Sequence, residues 1–211
     1  MSNYLKFRPL RADEVDCRIS TISDKGLSLL LYKDARCDMN VLDETVGPMN
    51  WSKSYSRDNA NCTVSIWDSE KKQWISKEDT GTESYTEKEK GLASDSFKRA
   101  CFNWGIGREL YTAPFIWIGS DSFNLKEKNG KAITYDKFSV SKMTVNGGKI
   151  SALQITNDKT HAIVYEWGHF QKQKCKICGK EVDDNFAKAC IEANGAVYCS
   201  GTCKNADNKV S

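Results

Sequence analysis

The sequence lacks the features that mark several common classes of protein. Its 211 residues contain no long apolar run, so no transmembrane helix is expected. The opening residues lack the apolar stretch of a signal peptide. We therefore expect a cytoplasmic protein that does not associate with membranes.

Signatures of catalysis are also missing. The chain has no Gly-x-x-x-x-Gly-Lys-Ser/Thr sequence, which excludes the phosphate-binding loop of the nucleotide hydrolases. Only two histidines are present, His161 and His169, and neither belongs to a visible Ser-His-Asp arrangement. The carboxylates form no paired motif of the kind that two-metal nucleases use. We therefore expect a protein that is not an enzyme, while a nuclease with widely separated acids stays open as an alternative.

Positive charge is in small excess, with a formal net charge of +3. A protein that binds nucleic acid over most of its surface carries more positive charge than this. Any nucleic-acid site must therefore be a local patch, or must be built by repetition in an oligomer.

Cysteine, in contrast, is abundant, with nine in the chain. In a reducing compartment, metal binding or burial explains them better than disulfides do. Cys175 and Cys178 form a Cys-x-x-Cys-Gly turn in the tail. A second pair, Cys199 and Cys203, follows after a spacer. Four thiolates at this spacing predict one structural Zn²⁺ in a closed tetrahedral site.

The predicted zinc ion would also stabilise the tail. A tail of about 30 residues buries too little apolar surface to fold without a bound metal ion or a similar cross-link. Two nearby side chains are rival ligands, Cys190 and His169. The simpler alternative is a set of reduced thiols that bind no metal.

Hydrophobic periodicity and turn signals predict the order of elements in the first part of the chain. Val15, Ile19 and Ile22 lie at i, i+4 and i+7, which indicates a first helix. The predicted segments are helices at 9–23 and 39–46 and strands at 27–32, 51–57, 62–67 and 73–76.

Residues 84–118 are the stretch around which the other elements are organised. They predict a helix followed by a short buried strand at 115–118. Lys98 and Arg99 lie off the apolar face of this helix, and Asp95 precedes Arg99 at the spacing of a helix-surface ion pair. The apolar stripe contains Ala93, Phe97, Ala100, Cys101 and Trp104.

The rest of the chain is predicted to complete a first domain. Residues 120–131 are polar and are expected to form a mobile loop. A turn signal at Asn146-Gly147-Gly148 predicts a hairpin. The predicted strands are 138–145, 150–155 and 162–167. The first domain then spans residues 1–170, and residues 171–211 form the zinc-binding module with its four cysteine ligands.

The run Asp95-Ser96-Phe97-Lys98-Arg99-Ala100 continues to a glycine-containing end and Leu110-Tyr111. It resembles the signature helix of the Rad-fifty-two family, whose ring-forming members anneal single-stranded DNA. The form Phe-Lys-Arg-Ala-Cys-x-Asn-Trp-Gly-Ile-Gly-Arg-Glu-Leu-Tyr is most similar to phage and prophage members. The order of elements before this helix also agrees, so the resemblance covers roughly residues 8–118.

The resemblance implies an α+β fold, in which a curved antiparallel sheet with a β-β-β-α core packs on a long helix. The cysteine spacing adds the small zinc-binding module that follows. The resemblance further implies an ATP-independent single-strand annealing protein of phage-type homologous recombination and repair, acting in a bacterial host cell. Subunits would form a homo-oligomeric ring whose groove holds single-stranded DNA, with the backbone on basic residues and the bases exposed. A host single-strand-binding or replication protein is a further expected partner.

The resemblance also implies where DNA would bind within residues 1–170. In that family the basic pair that matches Lys98 and Arg99 lines the strand-binding groove. Phe102 stands where members often carry a third basic residue, so it is expected to make an apolar or stacking contact instead. Other basic residues that are interleaved with aromatic ones are candidate phosphate contacts. They are Arg36, Lys53, Arg57 and Lys77.

Two other hypotheses belong to different classes. The chain would be a zinc-dependent DNA-binding transcription or adaptor protein if the tail is the working module and the first domain its scaffold. It would be a DNA-processing enzyme if scattered acids meet in the fold. Annealing of complementary oligonucleotides without nucleotide or divalent metal distinguishes the first hypothesis from both.

Overall fold

The computed structural model describes residues 5–82, 88–170, 173–182 and 184–207. The chain forms two compact units, Met1–Gly168 and His169–Ser211. In the described ranges, no helix is long and apolar enough to cross a membrane.

The first unit is built from antiparallel strands and α-helices, which makes an α+β fold as the sequence predicts. Its α-helices are α1 (Ala35–Val46) and α2 (Lys88–Trp104). Short 3-10 turns lie at Ala12–Glu14, Arg108–Thr112 and Ser120–Ser122. The strands are β1 (Asp16–Ile22), β2 (Gly26–Tyr32), β3 (Trp51–Ser56), β4 (Asn61–Asp68), β5 (Gln73–Thr80), β6 (Ile116–Gly119), β7 (Lys126–Lys128), β8 (Lys131–Ile133), β9 (Phe138–Asn146), β10 (Lys149–Asn157) and β11 (Ile163–Gly168).

The larger sheet has six strands in the order β11-β10-β9-β1-β2-β6. It is curved, and its two edge strands approach each other where the Tyr165 hydroxyl of β11 donates a 3.2 Å hydrogen bond to the Phe115 carbonyl just before β6. Leu27 on β2, Ile116 on β6 and Leu153 on β10 are buried in one apolar cluster. The curve therefore surrounds part of the core of this unit.

The smaller sheet, β3-β4-β5, is a three-strand meander that packs on α2. Alternate side chains of β4, such as Val64 and Ile66, are buried. Phe97 on α2 is buried too, and its ring stacks on Trp51 with centroids 6.2 Å apart. The Trp104 indole N–H donates a 3.0 Å hydrogen bond to the Val64 carbonyl. This is the expected β-β-β-α core.

The expectation of a long helix is not supported. The described part of α2 has 17 residues, and the predicted start at residue 84 lies outside the described residues. Lys77 and Arg108 each donate a 2.8 Å hydrogen bond to the Asn103 carbonyl at the end of this helix. Cations at this end satisfy free carbonyls and favour termination here.

The predicted first helix at residues 9–23 is wrong. Only Ala12–Glu14 forms a helical turn, and Asp16–Ile22 is strand β1. A β-bulge between Ile19 and Thr21 shifts the pairing with β2. Ile19 and Ile22 therefore both pack on the core although they are three residues apart, which imitates a helical spacing.

The region after β6 differs in part from its prediction. The mobile loop expected at residues 120–131 is wrong in its second half, where β7 and β8 pair as a small hairpin. The predicted hairpin further on is confirmed by β9 and β10, and the last predicted strand by β11. Three-residue strands are too short to show a periodic pattern, which is why the sequence does not reveal them.

The second unit is small. Strands β12 (Gln173–Lys174) and β13 (Glu181–Val182) pair around the first cysteine turn. Helices α3 (Asp184–Asn194) and α4 (Gly201–Asp207) follow. The buried cluster among its described residues consists of Cys175, Val182, Ala187 and Val197. Such a small core requires additional stabilisation.

Gly81 tests the packing of α2 on the meander. A Cβ at this position would lie 2.6 Å from the Ser96 backbone nitrogen and 2.9 Å from the Leu92 carbonyl oxygen of α2. We expect Gly81→Ala to lower the free energy of unfolding by roughly 1–3 kcal/mol, because the helix must move away from β5. Urea denaturation measures the change.

Gly201→Ala is the matched control, since a Cβ there meets no atom within 4 Å. An equal loss of stability in both variants, or no loss in Gly81→Ala, would contradict the close approach of β5 to α2.

Candidate nucleic-acid groove and metal centre

A groove of about 650 Å³ lies beside α2 in the first unit. Its volume is in the range of about 300–1,000 Å³ that is typical of ligand pockets. We call it the α2 groove. Its lining combines apolar side chains, four aromatic rings and three basic residues: Leu29, Leu31, Tyr32, Lys33, Asp95, Lys98, Arg99, Phe102, Leu110, Tyr111, Pro114 and Phe115.

Lys98 and Arg99 line the α2 groove because the residues next to them point into the core. Phe97 and Ala100 are buried, and each residue of a helix turns by about 100° from the last. Lys98 makes no hydrogen bond or ion pair with any described residue. Its ammonium group is therefore available to a ligand.

Arg99 has a different ion partner from the predicted one. Its Nε atom lies 3.5 Å from Asp79 Oδ1 on β5, without a hydrogen bond among the described residues. The predicted partner, Asp95, instead accepts a 2.9 Å hydrogen bond from the Thr82 backbone N–H. The expected pair fails because β5 engages Arg99 through Asp79, and Thr82, just after β5, engages Asp95. Asp79 leaves part of the Arg99 guanidinium unsatisfied.

Phe102, predicted to contact DNA, lies in the same groove but is already engaged by the protein. The Lys33 ammonium lies 4.5 Å from the centre of its ring. Tyr111 makes an edge-to-face contact with it, with centroids 5.1 Å apart. Phe102 therefore supports the wall of the groove. Tyr111, which is 74% exposed, offers a ligand more surface than Phe102 does.

Lys33 and Asp38 form a buried ion pair beside the groove. Lys33 is 1% exposed and Asp38 is fully buried, and the Lys33 ammonium donates to Asp38 Oδ1. Asp38 Oδ2 has no partner among the described residues. Burial raises the pKa of Asp38 to about 6, although the positive charge of Lys33 opposes this shift. Desolvation prevails because the carboxylate is only half satisfied.

Asp38 should make folding depend on pH. Its pKa in the folded protein is about 6, above the ordinary value of 3.8, so the folded state binds the proton more tightly. The resulting stabilisation is present below about pH 4 and is lost as the pH rises through about 6. We expect Asp38→Asn to remove this share of the pH dependence, as measured by urea denaturation between pH 4 and pH 7. The same profile in both proteins would disprove it.

The other predicted basic contacts do not line the α2 groove. Arg36 is exposed on the first turn of α1 and pairs with Asp34 at 3.0 Å. The pKa of Asp34 is lowered mainly by its hydrogen bonds from Arg36 and, to a smaller degree, by Lys98. The start of α1 is thus within electrostatic reach of Lys98.

Lys53, Arg57 and Lys77 lie on the meander. The Lys53 ammonium lies 4.4 Å from the centre of the Phe97 ring. Arg57 is exposed in the turn between β3 and β4. Lys77 donates to the Asn103 carbonyl and lies over the Trp104 ring, so it has a structural role at the end of α2. Of the predicted contacts, the structure brings together Lys98, Arg99 and Phe102.

Sequence reasoning missed several residues of the groove. Tyr32, Lys33, Tyr111 and Phe115 come from β2 and from the segment after α2. Lys33 follows an apolar strand and gives no sign of being buried. Phe115 is predicted to lie in a buried strand but is 78% exposed, since β6 begins one residue later.

The second unit brings its four predicted cysteines together. The Sγ atoms of Cys175, Cys178, Cys199 and Cys203 all lie within 4.8 Å of one another. Two of the separations are 3.4 Å and 3.6 Å. Metal–sulfur bonds of about 2.3 Å in a tetrahedron place sulfur atoms about 3.8 Å apart. The cluster can therefore hold a metal ion.

Local structure explains how these thiols meet. Cys175 and Cys178 lie on a turn closed by hydrogen bonds from Gly179 N–H to the Cys175 carbonyl and from Cys175 N–H to the Lys180 carbonyl. Gly179 has φ of +70°, a conformation that L side chains rarely adopt. Cys199 precedes α4 and Cys203 lies on its first turn. One tight turn and one helix start thus converge on a single point.

The thiols of the cluster differ in acidity. The backbone N–H of Cys178 is the main cause that lowers the pKa of Cys175 to about 6. Hydrogen bonding with the Cys178 thiol is the main cause that raises the pKa of Cys199 to about 12. A metal ion bound by four thiolates must displace the remaining protons, so its affinity rises with pH.

The rival ligands are not part of this group. Cys190 lies on α3, and its thiol donates a 3.5 Å hydrogen bond to the Tyr198 carbonyl. His169 is also absent from the described groups of side chains that can hold a metal.

Comparisons with known proteins give no identification. A scan against protein-family models, a search of curated proteins and a search of solved structures each find no match to this chain.

Cysteine variants test the metal centre. We expect one tightly bound metal ion per chain, measured by elemental analysis of the purified protein. Cys175→Ser should remove the ion and unfold the second unit, because three thiolates leave the tetrahedron open.

Cys190→Ser is the matched control, since it removes a thiol of the same unit that lies outside the cluster. It should keep the ion. No metal in the unaltered protein, or equal metal loss in both variants, would contradict the assignment.

Proposed function

We propose that this chain is an ATP-independent single-strand annealing protein, which binds single-stranded DNA in the α2 groove and promotes pairing of complementary strands. The observation that carries the proposal is the groove itself, where Lys98, which has no hydrogen bond or ion pair with a described residue, and the partly satisfied Arg99 lie beside exposed rings. Cations beside aromatic side chains are what sequence-neutral binding of single strands requires.

Annealing needs little from the protein beyond a groove with cations and aromatic side chains. Two DNA strands repel each other, so neutralising phosphates lowers the barrier to pairing, and a strand held in an open form is ready to find its complement. Neither step makes or breaks a covalent bond, which agrees with a site built from cations, rings and apolar side chains.

The modest charge of the chain favours action as an oligomer. One groove offers Lys98 and Arg99, which together neutralise about two phosphates. A closed homo-oligomeric ring repeats this groove along one strand and multiplies the electrostatic attraction. The resemblance of the 95–111 segment to the Rad-fifty-two family supports such a ring, in phage-type recombination and repair within a bacterial cell.

We propose zinc as the ion of the cysteine cluster. Four thiolates in a closed site suit Zn²⁺, which has no redox chemistry and accepts a tetrahedron readily. The ion would stabilise the small core of the second unit and would take no part in annealing chemistry. Iron in place of zinc on elemental analysis would overturn this choice.

The basic pair of α2 tests the proposed function. We expect Lys98→Ala combined with Arg99→Ala to lower affinity for single-stranded DNA and to slow annealing of complementary oligonucleotides without nucleotide or divalent metal. The log–log salt slope of binding should become shallower by about 1.4, or about 0.7 for each lost phosphate contact. The free energy of unfolding should change by less than about 0.5 kcal/mol, because neither side chain is in the core.

Lys128→Ala combined with Lys131→Ala is the matched control, since it removes the same charge from the exposed β7–β8 hairpin. It should bind and anneal normally. A basic-pair variant that anneals like the control would move the DNA site elsewhere, and one that loses its oligomer would assign the pair to assembly.

A zinc-dependent DNA-binding transcription or adaptor protein is the second candidate. One observation favours it: the metal cluster belongs to a compact unit of its own, His169–Ser211. Under this hypothesis the unaltered protein does not accelerate annealing, while Cys175→Ser abolishes its binding to a partner. Both outcomes differ from those expected for an annealing protein.

A further inference from the structure

The rim of the α2 groove carries two aromatic rings that are largely exposed. Tyr111 is 74% exposed and Phe115 is 78% exposed. Tyr111 uses an edge-to-face contact to rest on Phe102, and Phe102 is itself held by the Lys33 ammonium. The Tyr111 ring is therefore held in an exposed position by its contact with Phe102. Aromatic side chains exposed to this degree beside a pocket mark a binding surface.

The charge of the groove indicates what these rings would meet. Lys33, Lys98 and Arg99 line it together with one carboxylate, Asp95, whose oxygen already accepts hydrogen bonds from Thr82 at 2.9 Å and 3.3 Å. Lys33 is paired with Asp38, and Arg99 lies 3.5 Å from Asp79, so Lys98 and the rest of the Arg99 guanidinium are the positive groups that face a ligand. An apolar protein segment would use the rings and not the cations. A ligand that is flat, aromatic and attached to anions uses both, which is the chemistry of a nucleotide.

The cations and the exposed rings of the groove come from different segments of the chain. Lys98 and Arg99 are on α2, whereas Tyr111 and Phe115 lie on the segment that follows it, and all four residues line the same groove. A phosphate on the basic pair and its attached base on the rings would therefore share one pocket of about 650 Å³. A groove of this volume has more room than contacts with the sugar-phosphate backbone alone require.

We propose that each subunit takes one unstacked nucleobase of the bound single strand into the α2 groove, against Tyr111 and Phe115. The neighbouring bases stay outside and free to pair. This rests on the proposed function, and it adds that the strand is held by a base as well as by its phosphates. Every base has an aromatic face, so such holding is indifferent to sequence.

Fluorescence of 2-aminopurine in an oligonucleotide tests the proposal. A base inside the groove is shielded, so part of the bound signal should be protected from quenching by acrylamide. An oligonucleotide with the same phosphates but abasic sugars should bind more weakly. Tyr111→Ala combined with Phe115→Ala should abolish the protection and weaken binding roughly 5-fold or more, with the salt slope unchanged, because stacking involves no counterions.

Tyr135→Ala is the control, since Tyr135 is 69% exposed and lies outside the groove. It should keep both protection and affinity. Equal quenching of bound and free probe, or equal binding of the abasic strand, overturns the inference while the salt dependence still upholds DNA binding. A double variant that changes oligomer size in sedimentation, with protection retained, assigns the rings to a second copy of the chain. No binding by the unaltered protein defeats both proposals at once.

Discussion

Burial of one face of α2 is the constraint on which the first unit depends. Phe97 and Ala100 are fixed against the meander, and the Trp104 indole is tied to the Val64 carbonyl. Since a helix advances by about 100° per residue, fixing Phe97 inward directs Lys98 to the groove. Rotating the helix by one residue would bury the Lys98 ammonium without a partner. The free-energy cost of burying that charge exceeds what a surface contact contributes. The packing that stabilises the fold thereby also positions the basic pair.

Long periodic segments were predicted correctly because their signal is repeated. The three-strand meander, α2 and the β9–β10 hairpin each combine several apolar residues in register with a clear turn or end. The failures have local causes. The bulge in β1 placed Ile19 and Ile22 on one side and imitated a helix, while the three-residue strands β7 and β8 offered no period to detect. Tertiary pairing decides the structure in such places.

The two candidate sites differed in how far the sequence could reveal them. The cysteine cluster could be predicted because two cysteine pairs, each local in the chain, have the spacing of metal ligands. The groove could be predicted only in part. The helical pattern of α2 indicates Lys98 and Arg99, but Tyr111 and Phe115 come from the segment after α2. Least visible was the Lys33–Asp38 pair. A lysine after a strand normally points to water, but Phe102 of α2 and Gly107 just after it enclose this one.

Weak charge gives the aromatic rings of the groove their importance. With Lys98 and a partly satisfied Arg99 in each groove, the electrostatic part of the proposed DNA binding would be small per subunit and would be weakened further by salt. A protein with a net charge of +3 therefore needs either many repeated grooves or a contribution that salt does not screen. In the proposed annealing protein, stacking on exposed aromatic side chains would supply the second, and a closed oligomer of subunits would supply the first. Because the two contributions would multiply along one strand, a groove that binds weakly alone would be sufficient in an oligomer, and the strand could still be released one subunit at a time.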